Sequence, residues 1–368
     1  MAAQNNAPLP DGLEIGGYRI VKKIASGGFS IVYLAYDGDG SAVAIKEYLP
    51  SALTLRQPGE LAPAVPRPNL PVFRIGLKCF FEEGRALARI VHPNVVRVLN
   101  FFRANDTVYM VMAYEAGHAL QEVVARQVAK NSRPGETFIR QVFNGVCAGL
   151  REVHANKLLH LDLKPANIYL RSDGTPILLD FGAARQTINS DAPALAPMYT
   201  PGFAPPELYT KGVALGPWTD IYSIGAAIYA CMAGAPPQPA DQRRTRDDMD
   251  AQFAKLEKAR DYSPALVAMV KSCLALDPLA RPQSVFAVQK VLQAGGAAYN
   301  AASGAAAAGR GHGAGRRTGQ HDGRGHDSNG GRHEGGHDGG AGEEAAPASG
   351  WRGLFGRLGG FGRGRNEA

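Results

Sequence analysis

The segment His160–Gly182 reads HLDLKPANIYLRSDGTPILLDFG and gathers polar groups between apolar runs. Asp162, Lys164 and Asn167 fall within six residues, and Asp180 follows thirteen residues after Asn167. Carboxylate and amide oxygens are ligands that Mg²⁺ takes from proteins, usually together with substrate phosphates. A lone cluster of this kind is more often a solvated loop, but the flanking apolar runs predict short buried strands that hold it in place. These runs are 157–161, 168–170 and 177–179. The segment therefore predicts a magnesium-phosphate site.

The same segment resembles the catalytic and metal-binding loops of eukaryotic-type protein kinases, written H-R-D-L-K-x-x-N and D-F-G. The resemblance implies that Asp162 orients the substrate hydroxyl and accepts its proton, and that Lys164 neutralises the transferring phosphoryl group. It also implies that Asn167 and Asp180 bind the metal, Mg²⁺ or alternatively Mn²⁺, with ATP as the phosphoryl donor. Lys164, two residues after Asp162, resembles the serine/threonine rather than the tyrosine kinases.

Two adjacent glycines lie in Ala25–Ser30, between strands predicted over Tyr18–Val21 and Ile31–Tyr36. Alone, they would usually indicate a hairpin turn. The apolar strand Val43–Lys46 follows, however, and a glycine loop with a strand lysine resembles the ATP-phosphate grip of kinases. Only the central glycine of the pattern G-x-G-x-x-G-x-V is kept, so we expect a stiffer loop and altered nucleotide affinity. The resemblance assigns ATP contacts here to Ala25, Gly27, Gly28, Ser30, Val32, Ala44 and Lys46.

Helical spacing of apolar residues predicts a helix over Phe80–Ile90. By resemblance, Glu83 on this helix is the carboxylate partner of the strand lysine, whereas Glu82 fits an ordinary exposed acid. The Pro-rich stretch Tyr48–Ile75 predicts an extended surface insertion. The sequence VAIKEYLPS followed by such an insert resembles a bacterial subgroup of serine/threonine kinases.

Two further strands are predicted over Val95–Leu99 and Val108–Met112. The residues that follow them resemble the connector between kinase lobes, which implies that Met112 is the gatekeeper and that Tyr114 lies beside the adenine. An isolated methionine is otherwise core filler.

The second half of the chain continues the resemblance after a buried helix predicted over Thr137–Asn156. The segment TPGFAPPE resembles T-P-x-Y-x-A-P-E, which implies that Thr200 hydrogen-bonds Asp162 and Lys164 and that Glu207 pairs with Arg281. Asp220 opens an apolar helix; the resemblance implies that it braces the catalytic loop, and a helix-start carboxylate favoured by the dipole is the simpler alternative.

Two substitutions alter the usual phosphate switch of the family. Leu161 replaces the arginine of H-R-D, which normally binds a phosphate on the activation loop. The usual phosphorylation position, four residues before Thr200, is Ala196. We therefore expect a kinase of non-RD type whose activity is not gated by that phosphate.

Composition divides the chain near Gly295. The four scattered cysteines suit a reducing compartment and argue against a disulfide framework or a zinc site. No signal pattern or membrane-length apolar run is present, so a cytoplasmic location is expected, with a peripheral position at the inner membrane surface as a further option. The net charge of +7 does not by itself indicate nucleic-acid binding, and no nucleic-acid partner is expected.

The last 74 residues differ from the rest of the chain. Residues 295–350 are rich in Gly, Ala, His and Arg, which predicts a disordered linker, with metal binding by its histidines a minor alternative. Residues 351–368 interleave four arginines and one glutamate with Trp, Leu and Phe. This composition is typical of a docking segment for an anionic membrane surface or an acidic partner.

These features together predict an α+β, bilobal protein kinase fold. We expect a flexible N-terminus over 1–12 and a kinase domain over 13–294, with an N-lobe over 13–115 and a C-lobe over 116–294. The resemblance implies a bacterial, eukaryotic-like kinase that phosphorylates serine or threonine on protein substrates and on itself. The alternative is a pseudokinase scaffold that binds nucleotide or partners without turnover.

Overall fold

The computed structural model describes residues 6–181, 199–210, 212–259 and 261–294. Its N-terminal part is built on a six-stranded antiparallel sheet with the order β1-β2-β3-β4-β6-β5. The strands are β1 (Glu14–Ile15), β2 (Tyr18–Ser26), β3 (Ser30–Tyr36), β4 (Ala42–Tyr48), β5 (Val98–Ala104) and β6 (Thr107–Ala113). β5 begins three residues later than predicted, because Val95 instead forms a bridge with Leu178. The other strands that were predicted in this sheet, β2, β3, β4 and β6, are present and longer than expected.

Helix α1 (Leu70–Leu87) crosses one face of this sheet. The predicted helix over Phe80–Ile90 therefore has the wrong bounds. Helix α1 starts ten residues earlier because Pro71 lies in its first turn, where the missing N–H would have no helical partner. The predicted extended insertion over Tyr48–Ile75 is therefore wrong at its C-terminal end. The buried residues of α1 recur at helical spacing: Phe73, Gly76, Phe80, Gly84 and Leu87.

The other face of the sheet is covered by the N-terminal segment and by a part of the Pro-rich insert. Arg56 of the insert and Leu9 are each 1% exposed. The backbone N–H of Ala7 donates to the carbonyl of Arg56 at 3.0 Å, and the N–H of Leu9 donates to the Tyr33 hydroxyl at 3.0 Å. The prediction of a surface insertion is therefore wrong at Arg56, and Ala7 and Leu9 of the predicted flexible N-terminus contact the insert and the sheet.

A smaller sheet with the order β7-β8-β9 follows the connector. Its strands are β7 (Gly117–Ala119), β8 (Ile168–Arg171) and β9 (Pro176–Leu178). β8 begins directly after Asn167, and β9 ends two residues before Asp180, as the apolar runs predicted. The run 157–161, in contrast, is not a strand.

The C-terminal part is helical. Its described helices are α2 (Leu120–Val128), α3 (Glu136–Ala155), α4 (Pro217–Ala233), α5 (Ala240–Arg243), α6 (Met249–Ala259), α7 (Pro264–Cys273) and α8 (285–294). Helix α3 matches the prediction within one residue, and α4 is almost wholly buried. The described helices include none that is both long and apolar enough to cross a membrane. The predicted α+β bilobal fold is confirmed, whereas the predicted linker and C-terminal segment lie outside the described residues.

Candidate active site

The catalytic loop, residues 160–167, brings three predicted site residues into direct contact. The Nζ of Lys164 donates to both carboxylate oxygens of Asp162, at 3.0 and 2.9 Å, and to the hydroxyl of Thr200 at 2.7 Å. The Thr200 hydroxyl in turn lies 3.1 Å from Oδ1 of Asp162. A carboxylate, an ammonium and a hydroxyl thus surround one point, where a second hydroxyl could be oriented against the carboxylate.

Asn167 is fully buried, and its amide group is oriented by the catalytic loop. Its Nδ2 donates to the backbone carbonyl of Asp162 at 2.8 Å and to the Asp162 carboxylate at 3.0 Å. Its Oδ1 is buried and accepts no hydrogen bond from any described residue. Such an oxygen, next to the Asp180 loop, fits a cation ligand, so the residues present suit Mg²⁺.

Lys46 of β4 reaches this loop from the opposite lobe. Its Nζ donates to Oδ1 of Asp180 at 2.7 Å, and both side chains are less than a tenth exposed. The structure therefore joins the predicted phosphate-binding lysine to the predicted metal-binding carboxylate. Glu83 lies half-buried on α1, whereas Glu82 is exposed and pairs with Arg85 at 2.9 Å. The pairing of Lys46 with Glu83 stays a prediction.

The glycine loop is shorter than the predicted Ala25–Ser30 segment, because β2 and β3 extend to Ser26 and from Ser30. Its backbone is tied to the start of the insert: the N–H of Ser51 donates to the Gly28 carbonyl at 2.9 Å. The N–H of Leu49 donates to the Phe29 carbonyl at 2.7 Å. These bonds restrain the loop further, in addition to the stiffness expected from the loss of its flanking glycines.

The remaining predicted nucleotide contacts lie on the side of the sheet that faces the C-lobe core. Ala25, Val32, Ala44 and Met112 are all buried in one cluster. Tyr114, in the connector, is half-buried, and burial raises the pKa of its hydroxyl. The ATP contacts assigned to these residues stay predictions.

Asp220 at the start of α4 braces the backbone of the catalytic loop. Its carboxylate accepts the N–H of His160 at 2.9 Å and the N–H of Leu161 at 2.8 Å. Leu161 has a φ of 62°, a left-handed conformation that is costly for a leucine. The ring Nε2 of His154 lies 2.8 Å from the same carboxylate, a contact that the sequence did not reveal. The brace therefore holds a strained residue in place.

His160 is fully buried beside Phe181, with ring centroids 4.5 Å apart. Burial lowers the pKa of His160, against the opposing influence of Asp220 and Asp162. The imidazole is thus held neutral within the loop.

Glu207 and Arg281 form a buried bidentate pair, with N–O distances of 2.7 and 3.0 Å. Arg281 also donates to the backbone carbonyl of Trp218 at 3.0 Å. The pair fastens the segment after Thr200 to the start of α4. Ala196 lies outside the described residues.

A buried polar cluster on the outer face of the sheet was missed at the sequence level. The carboxylate of Glu47, next to Lys46, accepts two hydrogen bonds from the Arg56 guanidinium, at 2.5 and 2.8 Å. It also accepts one from the Tyr33 hydroxyl at 2.7 Å and one from the Tyr109 hydroxyl at 2.9 Å. Burial and then the Glu47 charge raise the pKa of both tyrosines, so their hydroxyls remain donors. The only signal was a charged residue inside an apolar strand.

A second missed contact joins the connector to the β8–β9 hairpin. Arg171 of β8 donates to both carboxylate oxygens of Glu115, at 2.8 and 2.7 Å. Since Glu115 and Arg171 lie 56 positions apart, nothing local in the sequence indicated this pair.

Known proteins similar to this chain are serine/threonine kinases. Serine/threonine-protein kinase B of Synechocystis sp. is 29% identical over 76% of this chain and 46% of the relative. PknD of Chlamydia felis is 28% identical over 73% of this chain and 30% of the relative. The chain thus spans less than half the length of these curated relatives.

Solved structures give the same fold. The PpkA-294 apo form is 35% identical, with a TM-score of 0.70 over 77% of this chain and 99% of that chain. The PknI kinase domain of Mycobacterium tuberculosis, 20% identical, has a TM-score of 0.57 over 78% of this chain and 99% of that chain. The family described as "Protein kinase domain" matches residues 18–294. The loop geometry, the brace and the two-lobed architecture agree with that match, and the chain belongs to the protein kinase domain family.

Proposed function

We propose that this chain transfers the γ-phosphoryl group of ATP to serine or threonine hydroxyls of proteins, itself included. The supporting observation is the contact of Lys164 with both Asp162 and Thr200, at 2.7 to 3.0 Å. That arrangement offers a carboxylate for an incoming hydroxyl and a cation beside it for the phosphoryl oxygens. The names of the similar proteins carry the same activity.

The mechanism assigns each side chain a positioning or charge role. Asp162 orients the substrate hydroxyl and takes its proton, while Lys164 offsets negative charge on the transferring group. Lys46 holds ATP phosphates, and Glu83 holds Lys46. Asn167 and Asp180 would hold Mg²⁺, which would neutralise charge on the phosphates when bound. Positioning and charge neutralisation supply the acceleration, since phosphoryl transfer asks little covalent chemistry of the protein.

Autophosphorylation with labelled ATP and Mg²⁺ tests this function. Wild type should incorporate phosphate on serine or threonine, whereas Asp162→Asn and Lys46→Met should each lose at least about 10³-fold in rate. Glu14→Gln, an exposed acid on β1, is a matched charge-removing control and should retain the wild-type rate. Nucleotide binding without incorporation in the wild type would instead support the pseudokinase alternative.

The proposal extends to regulation, because Leu161 cannot bind an activation-loop phosphate. Leu161 is braced through its backbone by Asp220 and offers only an aliphatic side chain. We expect full activity after the hydroxyl residues Thr187, Ser190 and Tyr199 are replaced together by Ala, Ala and Phe. Loss of activity through lost phosphorylation would contradict a kinase without the usual phosphate switch.

Residues 351–368 are proposed as a docking segment for an acidic partner or an anionic membrane surface. Four arginines interleaved with Trp, Leu and Phe support this proposal. A cytoplasmic kinase that binds the inner membrane surface through this segment should co-sediment with phosphatidylserine vesicles. A 1–350 truncation should not, and equal behaviour of the two proteins would exclude the membrane version.

A further inference from the structure

A groove of about 760 Å³ lies on the N-lobe, and none of the predicted site residues lines it. It is enclosed by the end of the Pro-rich insert, the first two turns of α1 and the hairpin between β5 and β6. Its apolar lining consists of Val65, Leu70, Phe73 and Leu77. Its charged lining consists of Arg74, Lys78, Arg103 and Asp106. The groove belongs to no part of the proposed reaction.

Helical spacing explains how apolar and cationic side chains meet there. Leu70, Arg74 and Lys78 are separated by four residues each, so they follow one another along a single stripe of α1. Leu77 lies in the same stripe, one turn from Arg74, and is half-buried. The helix therefore presents an apolar floor with a cationic edge, while Glu83 lies further along toward the active site.

The cations of this groove are exposed, unlike the buried Arg56 of the N-lobe. Arg74 and Lys78 are exposed and make no hydrogen bond or ion pair with any other described residue. Arg103 lies 5.8 Å from the ring of Phe81, which fixes its guanidinium at one end of the groove. Asp106 is the single acidic lining residue against these three cations. An excess of positive charge beside an apolar floor favours an acidic ligand with apolar side chains.

The same charge argues against two other occupants. The chain's own segment 351–368 carries four arginines against one glutamate, so it would be repelled. A single-stranded nucleic acid needs aromatic rings on which bases can stack, and the one ring lining the groove, Phe73, is only 4% exposed. A peptide with carboxylates and a large apolar residue satisfies both features of the lining.

We propose that this groove binds an acidic segment of a partner protein, with carboxylates on Arg74 and Lys78 and an apolar side chain against Leu70 and Leu77. The site is separate from the ATP site and does not rest on the proposed kinase activity. Because Glu83 lies on the same helix, a bound partner would contact the element that carries this predicted partner of Lys46.

The test is fluorescence anisotropy with the full chain and a fluorescein-labelled peptide, Asp-Glu-Asp-Phe-Glu-Asp-Leu-Asp. We expect saturable binding that weakens at least about tenfold in the double variant Arg74→Glu, Lys78→Glu, and that weakens with salt. The matched control is Lys22→Glu, Lys23→Glu, which makes the same charge change at exposed positions of β2. It should change the affinity by less than about twofold. Circular dichroism melting checks that both variants fold.

A second peptide, with glycine in place of Phe and Leu, tests the apolar floor without altering the protein. It should bind at least about fivefold more weakly. Equal binding of the two peptides, equal losses in the two charge variants, or no saturation at 1 mM peptide would each overturn the proposal. Displacement of the probe by a peptide of residues 351–368, or a wild-type dimer lost in Arg74→Glu, Lys78→Glu, would assign the groove to the tail or to a second copy and overturn it as well.

Discussion

Lys46 and Asp180 form a 2.7 Å ion pair that joins strand β4 to the loop after β9, across 134 residues of sequence. Each side chain is less than a tenth exposed, so the attraction between the two charges is weakly screened by solvent. The family resemblance gives these two residues separate tasks, phosphate binding and metal binding, and the structure places them in direct contact.

This pair predicts a thermodynamic coupling that can be measured without any activity. Lys46→Met and Asp180→Asn should each lower the free energy of unfolding by about 3 kcal/mol, because each removes this buried ion pair while leaving the other residue of the pair buried. The double variant should lose less free energy of unfolding than the sum of the two single losses, with a coupling energy of about 1–3 kcal/mol. Urea unfolding without nucleotide or metal gives all four values. Strict additivity would show that the contact contributes nothing to stability.

The Thr200 hydroxyl is expected to position Asp162 and Lys164 for transfer. Thr200→Val removes the group that contacts both side chains while keeping the shape of the residue, so kcat should fall by about 10–100-fold. Thr200→Ser keeps the hydroxyl and should retain most of the rate. Steady-state kinetics at saturating ATP distinguish the two variants, and equal losses would point to packing of the methyl group instead.

The Glu47–Arg56 pair should stabilise the fold only as a pair. Arg56→Met leaves a buried carboxylate with two tyrosine donors and no cation, so unfolding should become easier by about 3–5 kcal/mol. Glu47→Leu combined with Arg56→Met removes both charges and should recover a large part of that loss. Thermal and urea unfolding of the single and double variants provide the comparison. A double variant as unstable as the single one would mean that the cluster acts through its shape.

Stability should fall in mild acid because His160 is buried and neutral. Burial lowers the pKa of His160, so below its unfolded value of about 6.5 the unfolded chain binds a proton that the folded chain does not. Lowering the pH from 7.5 to 5.5 should therefore reduce the free energy of unfolding through this linkage. His160→Phe should abolish that part of the pH dependence, whereas His118→Gln, at a half-exposed histidine 3.3 Å from Glu122, should retain it. The urea midpoints of the wild type and of both variants, measured at the two pH values, test this prediction.

Local patterns were enough for much of the fold and for the residue types at the site. Helix α3 was predicted within one residue because its apolar positions recur over twenty residues. Helix α1 was predicted ten residues short, because proline near its start resembles a loop unless the first turn of a helix is considered. Prolines in the sequence also concealed that Arg56 and residues 6–12 cover the sheet.

The candidate site shows the same division. The family resemblance implied that Asp162, Lys164 and Thr200 lie together, and the structure places them in contact. Nothing in the sequence indicated that Lys46 contacts Asp180, or that Arg56 compensates the charge of Glu47. Those contacts depend on how two lobes and an insert approach each other in three dimensions.

By itself, the sequence determined many of the helices and strands, because periodicity is a local property of a chain. Its family resemblance, carried by short motifs, implied the two-lobed architecture and the set of groups at the site. Only the tertiary structure decided which charges compensate each other, which backbone groups hold Leu161 in its strained conformation, and that a cationic, apolar groove borders α1. These features arise between residues far apart in sequence, where burial makes an unpaired charge or N–H costly and so selects partners that no local pattern records.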